Sequence, residues 1–504
     1  MSTVYLIGIG GSGMLPLARL ALARGYSVWG SDAKLSREAV ADLKKEGIYA
    51  AGPPSAGRID EMEGGLVVYS TAISESHPER MRAHELHSRG KLRLLHRMDF
   101  LNELVAHAPL RLGMAGTHGK TSSTALAGWM LMELGKDPLI IAGGRPLYLD
   151  RSIRNGEKVA VFETDESDGS FLRSNATHRL ILNADEDHLN YYGGFENLQQ
   201  AFQEFASSGT VIYNTGDPGL IPLRNSSLPL EGYCIYPSRA ECMQSDAFLA
   251  GYFPDQDDTL EFRIRRHHLK SASNDFDSAV PDPGAQNGPA SNAIAESNPG
   301  ITGQPTSEFE KSEEEVFYRF RLGVPGRHFA SNALGILGLV LLAFDDLDIQ
   351  KCIQALESFP GTERRLECLG THKGMPVYDD YGHHPSEIRA VLDALTQRFP
   401  GREIRVVFQP HRYTRTRELA SSFAASLAHA GRVFLLPLYS AGEEPLLGVD
   451  SALIGSFMPA NKPAHLLDDD VSPVFESPKG NPIVLFLGAG DVSQTARKLF
   501  RQTV

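Results

Sequence analysis

Short apolar runs recur along the chain, each ending in a polar or glycine-rich break, and most are followed by a stretch with helical periodicity. Runs of this kind read as buried strands, and their alternation with helices predicts parallel, doubly wound sheets. The first group is Val4–Ile7, a helix to about Arg24, a strand ending at Trp29-Gly30-Ser31-Asp32, and Leu66–Tyr69 ending at Ser70-Thr71-Ala72. The second has strands at Leu110–Ala115, Leu139–Ala142, Val159–Phe162, Arg179–Asn183 and Val211–Asn214. Thr259–Arg265 and Val316–Leu322 alternate in polarity and predict a hairpin. The third has strands at Pro376–Asp380, Ile404–Phe408, Val433–Leu436 and Ile483–Leu487. The expected fold class is α/β in three domains. Residues 1–107 form a Rossmann-like N-terminal domain, 108–360 a central P-loop ATPase-type parallel sheet, and 361–504 a C-terminal Rossmann-like domain.

A length of 504 residues agrees with about three cores. Residues 271–315 are rich in Ser, Asn, Pro, Gly and acidic residues, and bury too little apolar surface to offset their ordering entropy. They read as a disordered insertion in a surface loop of the central domain. The apolar stretch Leu334–Phe344 is too short to span a bilayer and reads as a buried helix. Net charge is −13, which excludes the broad positive field of a nonspecific nucleic-acid or anionic-membrane binder. The four cysteines show no metal-ligand spacing and the N-terminus no signal peptide, so reduced thiols and a cytoplasmic location are expected.

The most specific chemical signal is Gly116-Thr117-His118-Gly119-Lys120-Thr121-Ser122, between an apolar strand and a helical pattern. Strand, glycine loop and helix together make a phosphate-binding loop, whose backbone N–H groups and helix N-terminus converge on anionic oxygens. Lys120 would reach the terminal phosphates and the Thr121 hydroxyl a Mg²⁺. Met114 occupies the place of the first glycine of the general pattern.

Other candidates sit at strand ends, where open parallel sheets bind ligands. Gly8-Ile9-Gly10-Gly11-Ser12-Gly13 with Asp32 suits a nicotinamide dinucleotide or another nucleotide diphosphate. A dehydrogenase would leave the phosphate loop without a task, which favours a nucleotide-linked substrate. Glu163 ends its strand and opens the oxygen-rich Glu163–Asp168 segment, the usual place for a second Mg²⁺ anchor. His188, after the acidic Asp185-Glu186-Asp187, is a candidate ligand for a second metal. Arg412 and Arg415 in one loop suit carboxylate capture. His383 and His384 precede Pro385 at an expected helix start, which predicts that they are exposed.

These residues, with Pro325-Gly326-Arg327-His328…Asn332 and Asp379-Asp380-Tyr381, resemble the Mur ligases, ATP-dependent amide-forming enzymes of peptidoglycan synthesis. The resemblance spans nearly the whole chain except the insertion. The segments ETDESDGSFL (163–172), DDYGHHP (379–385), QPHRYTRTR (409–417) and YSAGEE (439–444) are similar to the first, alanine-adding branch. It implies that L-alanine is joined to the lactyl carboxylate of UDP-N-acetylmuramate through an acyl phosphate, with ATP and Mg²⁺, by a monomer or weak dimer. By position, Thr121 and Glu163 would hold one Mg²⁺ and His188 another. Asn332 would meet adenine, Asp380 the ribose and Arg365 the γ-phosphate. Gly10, Ser12, Gly13, Asp32, Ser70 and Thr71 match the UDP-sugar region. Tyr381, His383, His411, Arg412 and Arg415 match the amino-acid region. Lys120, His188, Arg365 and His383 are the expected catalytic set, and the base for the amine is His188, His383 or a carboxylate.

Two departures stand out. Phe329 follows His328 where the family pattern has Asn. No lysine occurs between Lys158 and Lys270, so the carbamylated lysine of several sister branches has no counterpart. The nearest alternative is a ligase that recycles a murein tripeptide onto the same nucleotide sugar.

Overall fold

Valine, isoleucine and leucine fill the strand Thr3–Ile7, which lies at the centre of a five-stranded parallel sheet. The order is Ile48–Ala51, Ser27–Ser31, Thr3–Ile7, Leu66–Tyr69, Arg93–His96. Strand order reverses beside Thr3–Ile7, so a crevice opens between the ends of Thr3–Ile7 and Leu66–Tyr69. The computed structural model describes residues 2–62, 64–187, 189–254, 258–265, 316–468, 470–476 and 480–501. The expected insertion at 271–315 and the candidate ligand His188 lie outside the described residues.

Among the described residues the second sheet has ten strands and is parallel through its centre. Leu110–Ala115 pairs with His178–Ile181 on one side and Val159–Glu163 on the other. The expected hairpin forms as Leu260–Ile264 against Phe317–Phe320. Antiparallel strands close both edges, because Ile153–Arg154 also pairs antiparallel with Pro138–Ile141. The apolar stretch becomes the helix Arg327–Ala343, buried continuously from Ala333 to Val340. Its glycines set how close it lies: a Cβ on Gly335 would come within 2.7 Å of the buried Tyr233 ring.

The third sheet has six strands among the described residues. Glu367–His372 and Met375–Asp380 form a hairpin, and the remaining pairs are parallel. Lys373 and Gly374 have φ of 48° and 81°, the two positive values that a tight two-residue turn matching strand twist requires.

The units share apolar contacts. Helix Arg97–Val105 packs Met98, Leu101 and Leu104 into one cluster with Leu139, Ala160 and Phe162 of the central sheet. Val324 and Phe329 pack against both the central and C-terminal cores. Phe329, the departure from the family pattern, is therefore an apolar contact between two units.

Candidate active site

Strand Leu110–Ala115 delivers the chain into the phosphate loop, and helix Lys120–Glu133 leaves it. Gly119 caps the helix at φ 87°, and a Cβ there would lie 2.6 Å from the Asn332 amide. Asn183, two residues past the neighbouring strand His178–Ile181, grips the loop three times. Its carbonyl accepts the Thr117 N–H at 3.2 Å. Its side chain accepts the His118 N–H at 2.8 Å and donates to the His118 carbonyl at 3.1 Å. Thr117 accepts the Asp185 N–H at 3.0 Å. Ser122 is buried in the first helical turn.

Lys120 donates to the Gly116 carbonyl at 2.7 Å and to Glu166 at 2.7 Å. Burial pushes the Glu166 carboxyl up, opposed by the Lys120 ammonium. The other Glu166 oxygen is buried without a hydrogen-bond partner. Glu163 accepts the Gly143 N–H and neighbours the Thr121 hydroxyl. Burial pushes its carboxyl up, opposed by Gly143 and Lys120. A buried carboxylate beside a hydroxyl oxygen is a hard-ligand pair of the type that suits Mg²⁺.

A cavity of about 1070 Å³ separates the N-terminal and central units, with Glu163 in its wall. Ser12, Gly13, Asp32, Ser70 and Thr71 line one side, and Asp165, Ser167 and Asp168 the other. Gly10 lines an adjoining cavity of about 440 Å³ and donates its N–H to Asp32 at 3.1 Å. The second Asp32 oxygen accepts the Lys34 N–H at 2.8 Å, so Asp32 shapes the glycine loop. Thr71 donates across the cavity to Asp168.

Sequence reasoning missed Arg97. It spans the same cavity from the N-terminal unit, 3.2 Å from Asp165, 3.0 Å from Ser170 and 3.5 Å from Asp168. Burial pushes both carboxyls up, and Arg97 is among the groups that override it and hold them low, with Lys120 also acting on Asp165. The available signal was its place directly after the strand Arg93–His96, at the same sheet edge as Ser70.

The third unit meets the phosphate loop from another side, with Ser386 Oγ 3.2 Å from His118 Nε2. Tyr381 lies under two guanidiniums, Arg364 at 4.8 Å and Arg365 at 5.2 Å. Asp380 is buried, and its oxygens accept the Leu366 N–H at 2.8 Å and the Gly382 N–H at 2.7 Å. Burial pushes its carboxyl up to about 6. His411 stacks on Tyr439 at 5.5 Å and lies 6.1 Å from the His383 ring. Arg412 is exposed, with φ of 73°, and its N–H is donated to the Tyr439 carbonyl. Arg415 is half-buried and acts electrostatically on both histidines.

The expectation of exposed His383 and His384 is corrected. Both are partly buried, because the start of helix Pro385–Arg398 abuts the phosphate loop. Burial pushes His383 and His411 down to about 4, so both are neutral near pH 7. His118, Asp185 and His384 bring ligand atoms within 4.8 Å of one another. Burial opposes a charge on His118, but Asp185 and Glu387 overcome it and raise its pKa to about 9. A protonated imidazole pairs with carboxylates and does not ligate a metal.

Comparison with known proteins shows the family. Residues 3–108 match the Mur ligase family catalytic domain, 114–227 the Mur ligase middle domain, and 364–490 the Mur ligase glutamate ligase domain. UDP-N-acetylmuramate–L-alanine ligase of Aquifex aeolicus is 31% identical over 99% of this chain and 97% of its own length. The protein of the same name from Renibacterium salmoninarum is 34% identical over 98% of this chain and 94% of its own. Among solved structures, UDP-N-acetylmuramate-alanine ligase of Thermotoga maritima superimposes with a TM-score of 0.71 at 23% identity, covering 100% of this chain and 99% of that one. A murein peptide ligase from Psychrobacter arcticus gives 0.63 at 19% identity, covering 99% and 98%. These two share the fold. Relatives matched end to end, and three family domains in order around one phosphate loop, place this chain in the Mur ligase family.

Proposed function

We infer that the protein joins L-alanine to the lactyl carboxylate of UDP-N-acetylmuramate, converting ATP to ADP and phosphate, in peptidoglycan precursor synthesis. The observation that carries this reading is Glu163: it neighbours Thr121 of the phosphate loop and also lines the large cavity beside the N-terminal glycine loop. A nucleotide sugar seated there would present its acid to the γ-phosphate of ATP.

The reaction needs positioning and charge neutralisation more than covalent chemistry from the protein. The Gly116–Ser122 loop and Lys120 cradle the triphosphate, with Asn332 against Gly119 on the nucleotide side. Thr121 and Glu163 would hold Mg²⁺, which when bound neutralises phosphate charge; His188 is the candidate for a second ion. Arg365, which acts electrostatically on Asp380 and His383, would meet the transferring phosphoryl group. The carboxylate oxygen attacks the γ-phosphorus, ADP leaves, and an acyl phosphate forms. The L-alanine amine then attacks the acyl carbon, and phosphate departs from the tetrahedral intermediate. His383, held neutral by burial, takes the amine proton. Arg412 and Arg415 receive the L-alanine carboxylate.

The reaction's need for ATP supports a cytoplasmic location. No described helix is long and apolar enough to cross a membrane. An ADP-release assay with UDP-N-acetylmuramate and either L-alanine or a murein tripeptide tests the reading. Release dependent on L-alanine is the expected result. Release only with the tripeptide would transfer the chain to the recycling activity.

A further inference from the structure

Glu387 belongs to none of the motifs above, yet it touches both halves of the reaction centre. It lies in the first turn of helix Pro385–Arg398. One oxygen is 3.4 Å from Nδ1 of His118, in the phosphate loop of the central unit. The other accepts the backbone N–H of His383 at 2.9 Å and lies 3.6 Å from its ring Nδ1. The side chain is 15% exposed. His118 is anchored on its far side by Asp185 at 3.0 Å, so it cannot follow the third unit without breaking one contact.

We propose that Glu387 is a positioning residue of the amide-forming step, coupling the phosphate loop through His118 to His383. This rests on the ligase reading above. The carboxylate stands between a cationic imidazole and a neutral one. Its bond to the His383 backbone fixes the loop that carries the ring. The ring Nδ1 faces the Tyr381 carbonyl at 3.3 Å, and donation there leaves Nε2 with the lone pair that accepts the amine proton. Correct seating of the phosphate loop thus sets where the acceptor-side base stands.

A purely structural role is also visible, since Glu387 closes a capping box with His384. Glutamine serves that role equally well, because the cap needs only an acceptor oxygen. Glu387→Gln therefore separates the two roles. The expected result is unchanged thermal stability, kcat lowered at least tenfold, and KM for ATP within threefold of wild type. Glu387→Asp, which keeps the charge, should recover part of the rate. In a double-mutant cycle with His118→Asn, the double variant should lose no more than the worse single variant. Wild-type kcat in Glu387→Gln, or losses that multiply in the cycle, would overturn the coupling. Should the glutamine variant fail to fold, the cycle is run with Glu387→Asp instead. Failure of the wild-type protein to use L-alanine would overturn the ligase reading, whatever the variants do.

Discussion

Lys120 Nζ lies 2.7 Å from Glu166 Oε2, and the two side chains are 14% and 1% exposed. The phosphate-loop lysine is thus already paired with a buried carboxylate. A triphosphate that recruits Lys120 exchanges one anionic partner for another, which limits the desolvation cost of binding.

Removing the lysine should therefore do two things. Lys120→Ala is expected to lower ATP-dependent turnover by at least a thousandfold. It should also cost roughly 3–5 kcal/mol of stability, because Glu166 is left buried and unpaired. Adding Glu166→Gln should recover most of the stability and none of the turnover. Denaturation and ADP-release measurements on the single and double variants check this; near-normal turnover in Lys120→Ala would refute the phosphate-loop assignment.

Arg97 joins two units across the cavity between the N-terminal and central units through Asp165, Asp168 and Ser170. Arg97→Ala should raise KM for UDP-N-acetylmuramate tenfold or more, with KM for ATP changed less than threefold. Lysine should substitute poorly, since a point charge cannot reproduce the guanidinium fork. A rise confined to the ATP KM would remove Arg97 from the sugar side.

In the proposed function, Arg412 and Arg415 receive the carboxylate of the amino acid. Arg412→Ala and Arg415→Ala should each raise KM for L-alanine about tenfold or more, in line with loss of a charge-assisted bond. Steady-state kinetics at saturating ATP decide the point. If only the ATP KM moves, the assignment is wrong.

Stability should depend on pH through His118. Its folded pKa of about 9 stands above the ordinary histidine value of about 6.5. Its contribution is complete below about pH 6.5 and is lost as pH rises through 9, with a ceiling of roughly 3 kcal/mol. Asp185 and Glu387 are held below their ordinary values: the hydrogen bond from His118 leads for Asp185, and for Glu387 His118 and His383 override burial. Their share is lost in acid, below about pH 4. Denaturant melts between pH 6 and 9.5 should show the alkaline decline in wild type and a flatter profile in His118→Asn. Equal slopes would show that the ion pair contributes nothing measurable.

The phosphate loop was legible because its parts are contiguous: an apolar strand, two glycines with positive φ, and a helix that follows at once. Glu163, Ser70 and His411 were legible for a related reason, since polar residues at the ends of apolar strands must lie at a sheet edge. The hairpin Leu260–Ile264 with Phe317–Phe320 followed from alternation of side chains. The short edge strands Ile153–Arg154 and Ala464–Leu466 did not, because edge pairing depends on neighbours more than on local pattern. The exposure of His383 was misjudged because a helix start is solvated only where nothing packs on it, and here the phosphate loop does.

Sequence by itself determined the three-unit α/β architecture and most of its strand–helix order, and it named the groups expected to grip phosphate. These depend on periodicity and local backbone chemistry, which neighbouring residues carry. Tertiary structure alone decided that Arg97 meets Asp165, that Lys120 meets Glu166, and that His118 meets Glu387. Each pair comes from separate elements whose ends converge only when the sheets pack, so no local pattern along the chain carries it.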